Sequence, residues 1–216
     1  MLTIPKLKIK DSSDTESIKT SMIEVNKNEI NTVNWPDQFP ASPQVSFKIA
    51  HNGTHLFIHY FVKEDEILAK TIEDNGPVWT DSCVEFFISF GDSPYYYNAE
   101  FSCIGTALLA HRENKENAEH ANRDIMKSIS RYSSLDNKPF DKRQGDFEWD
   151  MLLVIPVSAY WKSGLSSFDG IKARGNFYKC GDSLTVPHYL SWNPILTSTP
   201  NFHKPDFFGE LFFEAE

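Results

Sequence analysis

The strongest constraint on the fold is a pair of alternating segments that flank Asn52 and Gly53. In VSFKIAHNGTHLFIHYFVKE, residues 45–64, apolar and polar side chains alternate on both sides of this dipeptide. An Asn-Gly pair between two such segments is the strongest short-range signal for a β-hairpin, because both residues tolerate the positive φ of a tight turn. The pattern predicts an antiparallel hairpin at these positions.

The same period-two pattern recurs further along the chain. In CVEFFISF, residues 83–90, Val84, Phe86 and Ile88 fall on one face and Cys83, Glu85 and Phe87 on the other, since strand residues alternate between faces; Glu85 is therefore predicted to point away from the core. In YNAEFSCIG, residues 97–105, Glu100 falls on the polar face in the same way. The intervening GDSP has the composition of a turn, so the two strands are predicted to pair as a second hairpin.

The remaining chain is predicted to be strand-rich. The polar residues 111–124 are expected to form a long loop or a short exposed helix that interrupts the sheet. About eight to ten short strands with little helix predict an all-β protein, an antiparallel and jelly-roll-like β-sandwich that forms one domain over residues 1–216. The further strands are predicted at residues 125–132, 147–155, 171–179, 188–193 and 207–214, and one short helix is predicted in VSAYWKSG, residues 157–164.

Charge and hydropathy exclude two classes of protein. The chain has 21 basic and 30 acidic residues, a net charge of −9, which argues against a nucleic-acid binder with a basic face. No apolar run approaches the ~20 residues that cross a bilayer, so no membrane span is predicted. The first residues, MLTIPKLKIKDSSD, lack the apolar run of a signal sequence. We therefore expect either an intracellular protein or one whose signal has been removed.

Metal and disulfide motifs are weak. Cys83, Cys103 and Cys180 are odd in number and lack CxxC spacing, which predicts neither a disulfide framework nor a zinc knuckle, although one Cys83–Cys103 bridge stays open. His55 and His59 lie on one predicted strand, about 13 Å apart at ~3.3 Å per residue, so they are predicted not to share a metal ion.

Enzyme motifs are equally weak. Glu85 and Glu100 are the best carboxylate pair, because neighbouring strands place them on one polar face at a separation that a retaining glycosidase could use. A small glycoside hydrolase is therefore one alternative, although carboxylates that are merely solvated or hydrogen-bonded are far commoner on a sheet. The chain contains neither a GxSxG elbow nor a phosphate-binding glycine loop.

Aromatic residues in loops point to a binding function. The chain has 17 Phe, 8 Tyr and 5 Trp, more than a core of this size needs. Trp79 follows a Gly-Pro turn in GPVWTDS, where exposure and packing over a sheet edge are both open, and Phe202 and His203 lie in TPNFHKPDFFG. An aromatic face stacks on the C–H face of a sugar, while Glu85 and Asn176 can bond its hydroxyls. This combination favours carbohydrate binding.

Four segments carry a family resemblance. They occur in the family's order, and the likeness extends from about residue 45 to the C-terminus. Together they resemble the family nine carbohydrate-binding modules and, more closely, the family-nine-like single-domain proteins of Bacteroidetes. The segments are WTDSCVEFFI (79–88), RGNFYKC (174–180), LSWNP (190–194) and NFHKPDFFGELFF (201–213).

The resemblance implies a non-catalytic sandwich that binds a mono- or oligosaccharide and acts beside glycan-degrading enzymes, with no required cofactor and with structural calcium common. The acidic residues Glu64, Asp65, Glu73 and Asp74 are a calcium candidate or, more simply, a solvated turn. Some members of the wider sandwich superfamily hold haem, a second alternative that would require paired axial His or Met residues in one pocket.

In the family two tryptophans hold the terminal sugar. The resemblance places the first at Trp79 and the second at Phe202, and it places an acidic ligand at Glu85. An arginine that the family pattern expects falls near Ser102, so one hydroxyl donor is expected to be missing. The complete predicted carbohydrate site comprises Trp79, Glu85, Glu100, Asn176, Tyr178, Trp192, Phe202 and His203.

Overall fold

The computed structural model describes residues 1–216 and is built mainly from β-strands. The helical elements are α1 (Thr15–Ser21), α2 (Arg123–Ser128) and three 3-10 turns, Val78–Thr80, Val157–Ala159 and Pro205–Phe207. The strands are β1 (Leu2–Ile4), β2 (Asn28–Glu29), β3 (Thr32–Val33), β4 (Gln44–His51), β5 (His55–Ala69), β6 (Cys83–Phe90), β7 (Tyr96–Ser102), β8 (Ala107–Arg112), β9 (Ala118–His120), β10 (Ser130–Ser133), β11 (Phe140–Pro156), β12 (Lys172–Cys180), β13 (Tyr189–Ser191) and β14 (Gly209–Phe213). None of the helices combines the length and the apolar character needed to span a membrane.

The strands form two sheets that pack face to face. The first sheet has the order β1-β14-β12-β6-β7-β8-β9, with β13 against β12 and β3 against β13. The second sheet has the order β10-β11-β5-β4-β2. The predicted all-β sandwich is confirmed, with one difference: β1 runs parallel to β14, while the other paired strands are antiparallel.

Both predicted hairpins are present. Strands β4 and β5 pair through the turn at Gly53, whose φ of +94° is the left-handed conformation that glycine adopts without a Cβ penalty. Strands β6 and β7 pair so that Glu85 lies directly opposite Glu100. The alternation therefore predicted the shared face of these two carboxylates, and the register that sets them directly opposite comes from the structure.

Three local predictions need correction. The segment 125–132 is not one strand: α2 takes its first half, because the Asn122 side chain accepts hydrogen bonds from the backbone N–H groups of Asp124 and Ile125 and caps the helix. The polar stretch 111–124 is not one loop, since it contains β9 and the start of α2. The predicted helix at 157–164 is only the short 3-10 turn.

The strand count also exceeds the predicted eight to ten. Besides the six-residue β8, which lies in none of the predicted strand segments, the extra strands are the short elements β1, β2, β3 and β9, each of two or three residues. Segments of this length are too short to show a period-two pattern. The sequence pattern therefore does not predict these two- and three-residue strands.

The core between the sheets is continuous and aromatic. Phe177 of β12 stacks between Phe47 of β4 and Phe86 of β6, with ring centroids 3.7 and 4.5 Å apart. A second apolar cluster covers the outer face of the first sheet, the face that carries Glu85 and Glu100. Loop residues, among them Trp35, Ile195, Phe202 and Phe208, supply this cover. These loops therefore bury the outer face of the first sheet, which was expected to be polar and open, except at one cavity.

Candidate functional site

A cavity of about 390 Å³ opens on the outer face of the first sheet, beside the 3-10 turn that carries Trp79. Its volume is within the usual range for small-molecule sites. Of the eight predicted sugar-binding residues, the five that line it are Trp79, Glu85, Glu100, Phe202 and His203. The lining residues that sequence reasoning did not select are Arg112, Lys115, Cys180, Asp182, Tyr189, Pro200 and Asn201. We refer to this space as the Trp79 cavity.

Trp79 is the exposed aromatic of the cavity. Its side chain is 39% exposed, which decides between the two environments left open by the sequence. The turn is anchored through its backbone, because the Trp79 carbonyl accepts a hydrogen bond from the Asp182 N–H at 3.2 Å. The ring is thus available to a ligand while its backbone is held.

Phe202 lies in a different environment from Trp79, although both line the cavity. Its side chain is 9% exposed, and its ring stacks on Tyr178 at 4.2 Å with an interplanar angle of 9°. Phe202 therefore belongs to the apolar cover of the sheet and presents little of its ring to solvent.

Glu85 and Glu100 lie among the polar residues of the cavity and are both buried. The Cys180 thiol donates to Glu85 Oε1 at 3.0 Å, and the Asn98 amide donates to Glu100 Oε1 at 2.7 Å. Glu100 Oε2 has no hydrogen-bond partner. Burial raises the pKa of Glu100 to about 7 and holds the pKa of Glu85 well above its usual value, with the negative charge of Glu100 adding to the latter effect.

Arg112 at the end of β8 supplies a positive charge to this pair, which opposes the effect of burial on the pKa of Glu100. Its Nε donates to Asn98 Oδ1 at 2.7 Å, and Asn98 in turn bonds Glu100. The resemblance had led us to expect a lost donor near Ser102, but Arg112 reaches the cavity from the next strand. No strand was predicted at residues 107–112, so the pairing of Arg112 with Tyr96 that brings it to the cavity was not accessible from the sequence.

His203 is neutral at physiological pH. Burial, followed by the positive charges of Arg112 and Lys115, lowers the pKa of His203 to about 3. Its Nδ1 lies 2.9 Å from the Tyr96 hydroxyl. His203 is the single histidine of the Trp79 cavity, which contains no methionine, so the paired axial ligands required by the haem alternative are not assembled there.

Asn176, Tyr178 and Trp192 are not brought to the cavity, which differs from the sequence expectation. The Asn176 amide is committed to the backbone: Oδ1 accepts from the N–H of Phe177 and of Asn193, and Nδ2 donates to the Asn193 carbonyl. Tyr178 is fully buried beneath Phe202. Trp192 packs edge-on against Phe177. These residues support the first sheet and its loops.

The acidic residues considered for calcium do not form a common site. Glu64 Oε2 lies 2.8 Å from Lys179 Nζ. Asp74 forms a bidentate ion pair with the Arg131 guanidinium, with N–O distances of 2.6 and 2.9 Å. Glu64 and Asp74 are already neutralised, so they do not fit a shared calcium ion. Calcium binding by this chain stays a prediction without an assigned ligand set.

The structure shows the positions of the two histidines and three cysteines considered for metal binding or a disulfide. His55 and His59 both lie on β5, as their predicted separation required, and His59 Nε2 contacts Asp150 at 2.7 Å. Cys83, Cys103 and Cys180 are free and buried, so the Cys83–Cys103 bridge left open by the sequence is not formed.

A larger cavity, about 670 Å³, is lined by residues of β5 and of the 184–188 segment and contains none of the predicted sugar-binding residues. Glu64 and His188 line it, but Lys179 contacts both of them. The Trp79 cavity is smaller and has an exposed aromatic beside uncommitted carboxylate oxygen. We therefore take the Trp79 cavity as the candidate site.

Comparison with known proteins gives a consistent result. Residues 15–213 match the sequence model of carbohydrate-binding family 9. The chain is similar to a candidate carbohydrate-binding protein from Bacteroides uniformis, with 41% identity and a TM-score of 0.95 over 99% of this chain and 98% of that chain. No curated protein sequence matches the chain.

Two more distant solved structures share the fold. Both are of a family 9 carbohydrate-binding module from Caldicellulosiruptor kristjanssonii. The complex with cellotriose has 12% identity and a TM-score of 0.60, covering 100% of this chain and 94% of that chain. The complex with glucose has 13% identity and a TM-score of 0.57, covering 100% and 96%. At these identities the likeness concerns the fold alone.

Proposed function

This chain belongs to carbohydrate-binding family 9, and from that membership we propose that it binds a mono- or oligosaccharide in the Trp79 cavity without transforming it. The observation that carries the proposal is an exposed indole beside buried, incompletely bonded carboxyl groups. A sugar presents both complements of such a surface, since its C–H face is apolar and its rim consists of hydroxyl groups.

Each part of the cavity has a role in this proposal. Trp79 provides the stacking surface, and Phe202 contributes a smaller apolar part of the wall. Glu85 and Glu100 accept hydrogen bonds from sugar hydroxyls, because each retains acceptor capacity beyond its present bond. Arg112 replaces the donor that the family pattern places elsewhere.

The first ligands to test are glucose and cello-oligosaccharides. The two Caldicellulosiruptor kristjanssonii structures are complexes with glucose and with cellotriose, which supports this choice. Other neutral hexoses and their oligomers complete the panel, because the cavity geometry alone does not select a linkage.

The arrangement of the carboxyl groups favours binding over hydrolysis. In a glycosidase the two carboxyl groups flank the scissile bond. Glu85 and Glu100 instead lie side by side on one face of the sheet, in directly paired positions of β6 and β7. A sugar above them meets both from the same side. We expect no release of reducing ends from mixed oligosaccharides at high protein concentration, and catalytic turnover removed by Glu85→Gln would contradict this part of the proposal.

A glycan-degrading enzyme is the partner we propose for such a module. A sugar-binding protein without turnover contributes by holding an enzyme near its substrate, so that the second contact becomes effectively intramolecular. We expect fusion of the chain to a matched glycosidase to raise activity on a bound polysaccharide but not on a soluble short oligomer. Equal enhancement on both substrates would contradict the targeting role.

Isothermal titration calorimetry with Trp79→Ala tests the site. Stacking on an aromatic contributes about 1 kcal/mol beyond the apolar area it buries, and the variant loses both contributions, so we expect it to bind about tenfold more weakly. Tyr95→Ala is a matched control, because Tyr95 is 43% exposed and does not line the cavity. Equal loss of affinity in both variants, or none in Trp79→Ala, would place the sugar elsewhere.

A further inference from the structure

Three potential metal ligands meet at the inner end of the Trp79 cavity. Cys83 of β6 pairs directly with Cys180 of β12, and Glu85 follows two residues after Cys83 on the same face of the sheet. Their sulfur and carboxylate oxygen atoms all lie within 4.8 Å of one another, and all three side chains are buried. The register of two adjacent strands thus creates a compact group with two thiols and one carboxyl.

The two thiols are not consumed by another covalent bond. Both Cys83 and Cys180 are free, and the Cys180 thiol uses Glu85 Oε1 as its acceptor at 3.0 Å. The third cysteine, Cys103, lies in the core between the sheets, where its sulfur is 3.7 Å from the Leu68 carbonyl oxygen. Two cysteines therefore belong to the cluster and one is separate from it.

We propose that Cys83, Cys180 and Glu85 bind one zinc ion at the base of the Trp79 cavity. Thiolate sulfur with a carboxylate oxygen is a donor set that Zn²⁺ accepts, whereas Mg²⁺ and Ca²⁺ prefer oxygen alone. Zn²⁺ binds sulfur at about 2.3 Å and carboxylate oxygen at about 2.0 to 2.2 Å, so a tetrahedral site requires ligand atoms about 3.5 to 3.8 Å apart. The observed cluster is close enough to reach that spacing through side-chain rotation.

A separate observation supports a cation at this position. Glu100 lies directly opposite Glu85, is 3% exposed and lines the same cavity, yet its Oε2 has no hydrogen-bond partner. A buried carboxylate oxygen without a partner is costly. A nearby dication would stabilise it directly or through a bound water. Glu85 and Cys180 also line the cavity, which provides the route by which an ion enters.

The proton balance of binding follows from the state of the free thiols. Burial raises the pKa of Cys83 to about 12 and raises that of Cys180 as well, so both sulfurs are protonated at neutral pH. Each sulfur binds the metal as a thiolate, and its proton passes to solvent. Two thiol protons, and the Glu85 carboxyl proton where that group carries one, are thus exchanged for one Zn²⁺, with no oxidation or reduction of the protein.

The proposal is tested by titrating the reduced, full-length protein with Co²⁺ and then displacing it with Zn²⁺, in the absence of sugar. We expect thiolate-to-cobalt charge-transfer absorption that saturates at one ion per chain and disappears on Zn²⁺ addition. Cys83→Ser should weaken Co²⁺ binding by on the order of 100-fold or more, since it removes a ligand. Cys103→Ser, the same substitution outside the cluster, should leave the titration unchanged.

Two results would overturn the proposal. One is the absence of charge-transfer absorption in the wild-type protein, which does not depend on the folding of any variant. The other is loss of the absorption in Cys103→Ser but not in Cys83→Ser. Because Cys83 does not line the Trp79 cavity and the titration contains no sugar, failure of the zinc site leaves the sugar-binding proposal to its own calorimetric test.

Discussion

Two buried polar clusters lie on opposite faces of β12 and differ in how their charges are compensated. Lys179 faces the space between the sheets, with its Nζ 2.8 Å from Glu64 Oε2 and 2.8 Å from His188 Nε2. Cys180, the next residue, faces the Trp79 cavity with Glu85 and Glu100. The Lys179 cluster neutralises its own charge, whereas the Glu85–Glu100 cluster keeps acceptor oxygens available. Compensated charge indicates a structural role, and uncompensated charge beside a cavity indicates a binding site.

The largest expected effect comes from removing the cation of the Lys179 cluster. Lys179→Met leaves Glu64 buried without its partner, and we expect a loss of about 3 to 5 kcal/mol in the free energy of unfolding, measured by denaturant titration. Adding Glu64→Gln should recover much of this loss, because no unpaired charge is then buried. If Lys179→Met were neutral, the structural interpretation of this cluster would be wrong.

The next effect distinguishes Phe202 from Trp79, the two aromatic residues of the cavity that were predicted to hold the sugar. Phe202→Ala should cost about 3 kcal/mol of unfolding free energy, because the ring is buried against Tyr178. Phe202→Leu keeps an apolar side chain there and should lose much less. A Phe202→Ala variant with wild-type stability would show that the ring is a free sugar-binding surface, not part of the cover.

The free energy of unfolding should depend on pH because of the Glu85–Glu100 cluster. The pKa of Glu100 is about 7 when folded, against an ordinary value of 4.5, so the folded chain binds more protons between these two values. Its contribution to stability therefore falls as pH rises from about 4.5 to 7, by up to about 3 kcal/mol, and the loss is complete above that window.

Comparison with Glu100→Gln measures this contribution together with the part of the Glu85 pKa shift that the charge of Glu100 causes, which acts in the same direction. The lowered pKa values of buried His188 and His203 act in the opposite direction, since the unfolded chain protonates them more readily as pH falls. Those histidine effects are common to wild type and variant. Denaturant midpoints measured from pH 4.5 to 8 should thus show that the stability of Glu100→Gln relative to the wild type increases as pH rises. A constant difference would mean that Glu100 is better compensated than its contacts indicate.

The smallest effect on stability is expected at Trp79. Trp79→Ala removes a ring that is 39% exposed and should change the free energy of unfolding by about 1 kcal/mol or less, measured by the same denaturant titration. Its tenfold effect on sugar affinity would then be separate from folding. A stability loss comparable to that of Phe202→Ala would return Trp79 to a structural role.

Several features were accessible from the sequence because they depend on local geometry. The turn at Gly53 follows from a dipeptide that accepts positive φ, and the common face of Glu85 and Glu100 follows from the two-residue period of a strand. Trp79 could be selected from its loop context and from the family resemblance. Each inference used residues close together in the chain or a short, well-defined turn.

Other features depended on which distant segments come together. Arg112 enters the cavity because β8 pairs with β7, and Phe202 is buried because its loop folds over Tyr178. Lys179 can occupy the interior only because Glu64, 115 residues earlier on the other sheet, approaches within 2.8 Å. Alternation assigns a side chain to a face, but burial and charge depend on what covers that face. Local periodicity therefore determined the strands and the carboxylate pair, while long-range packing decided which charges were compensated and which were left for a ligand.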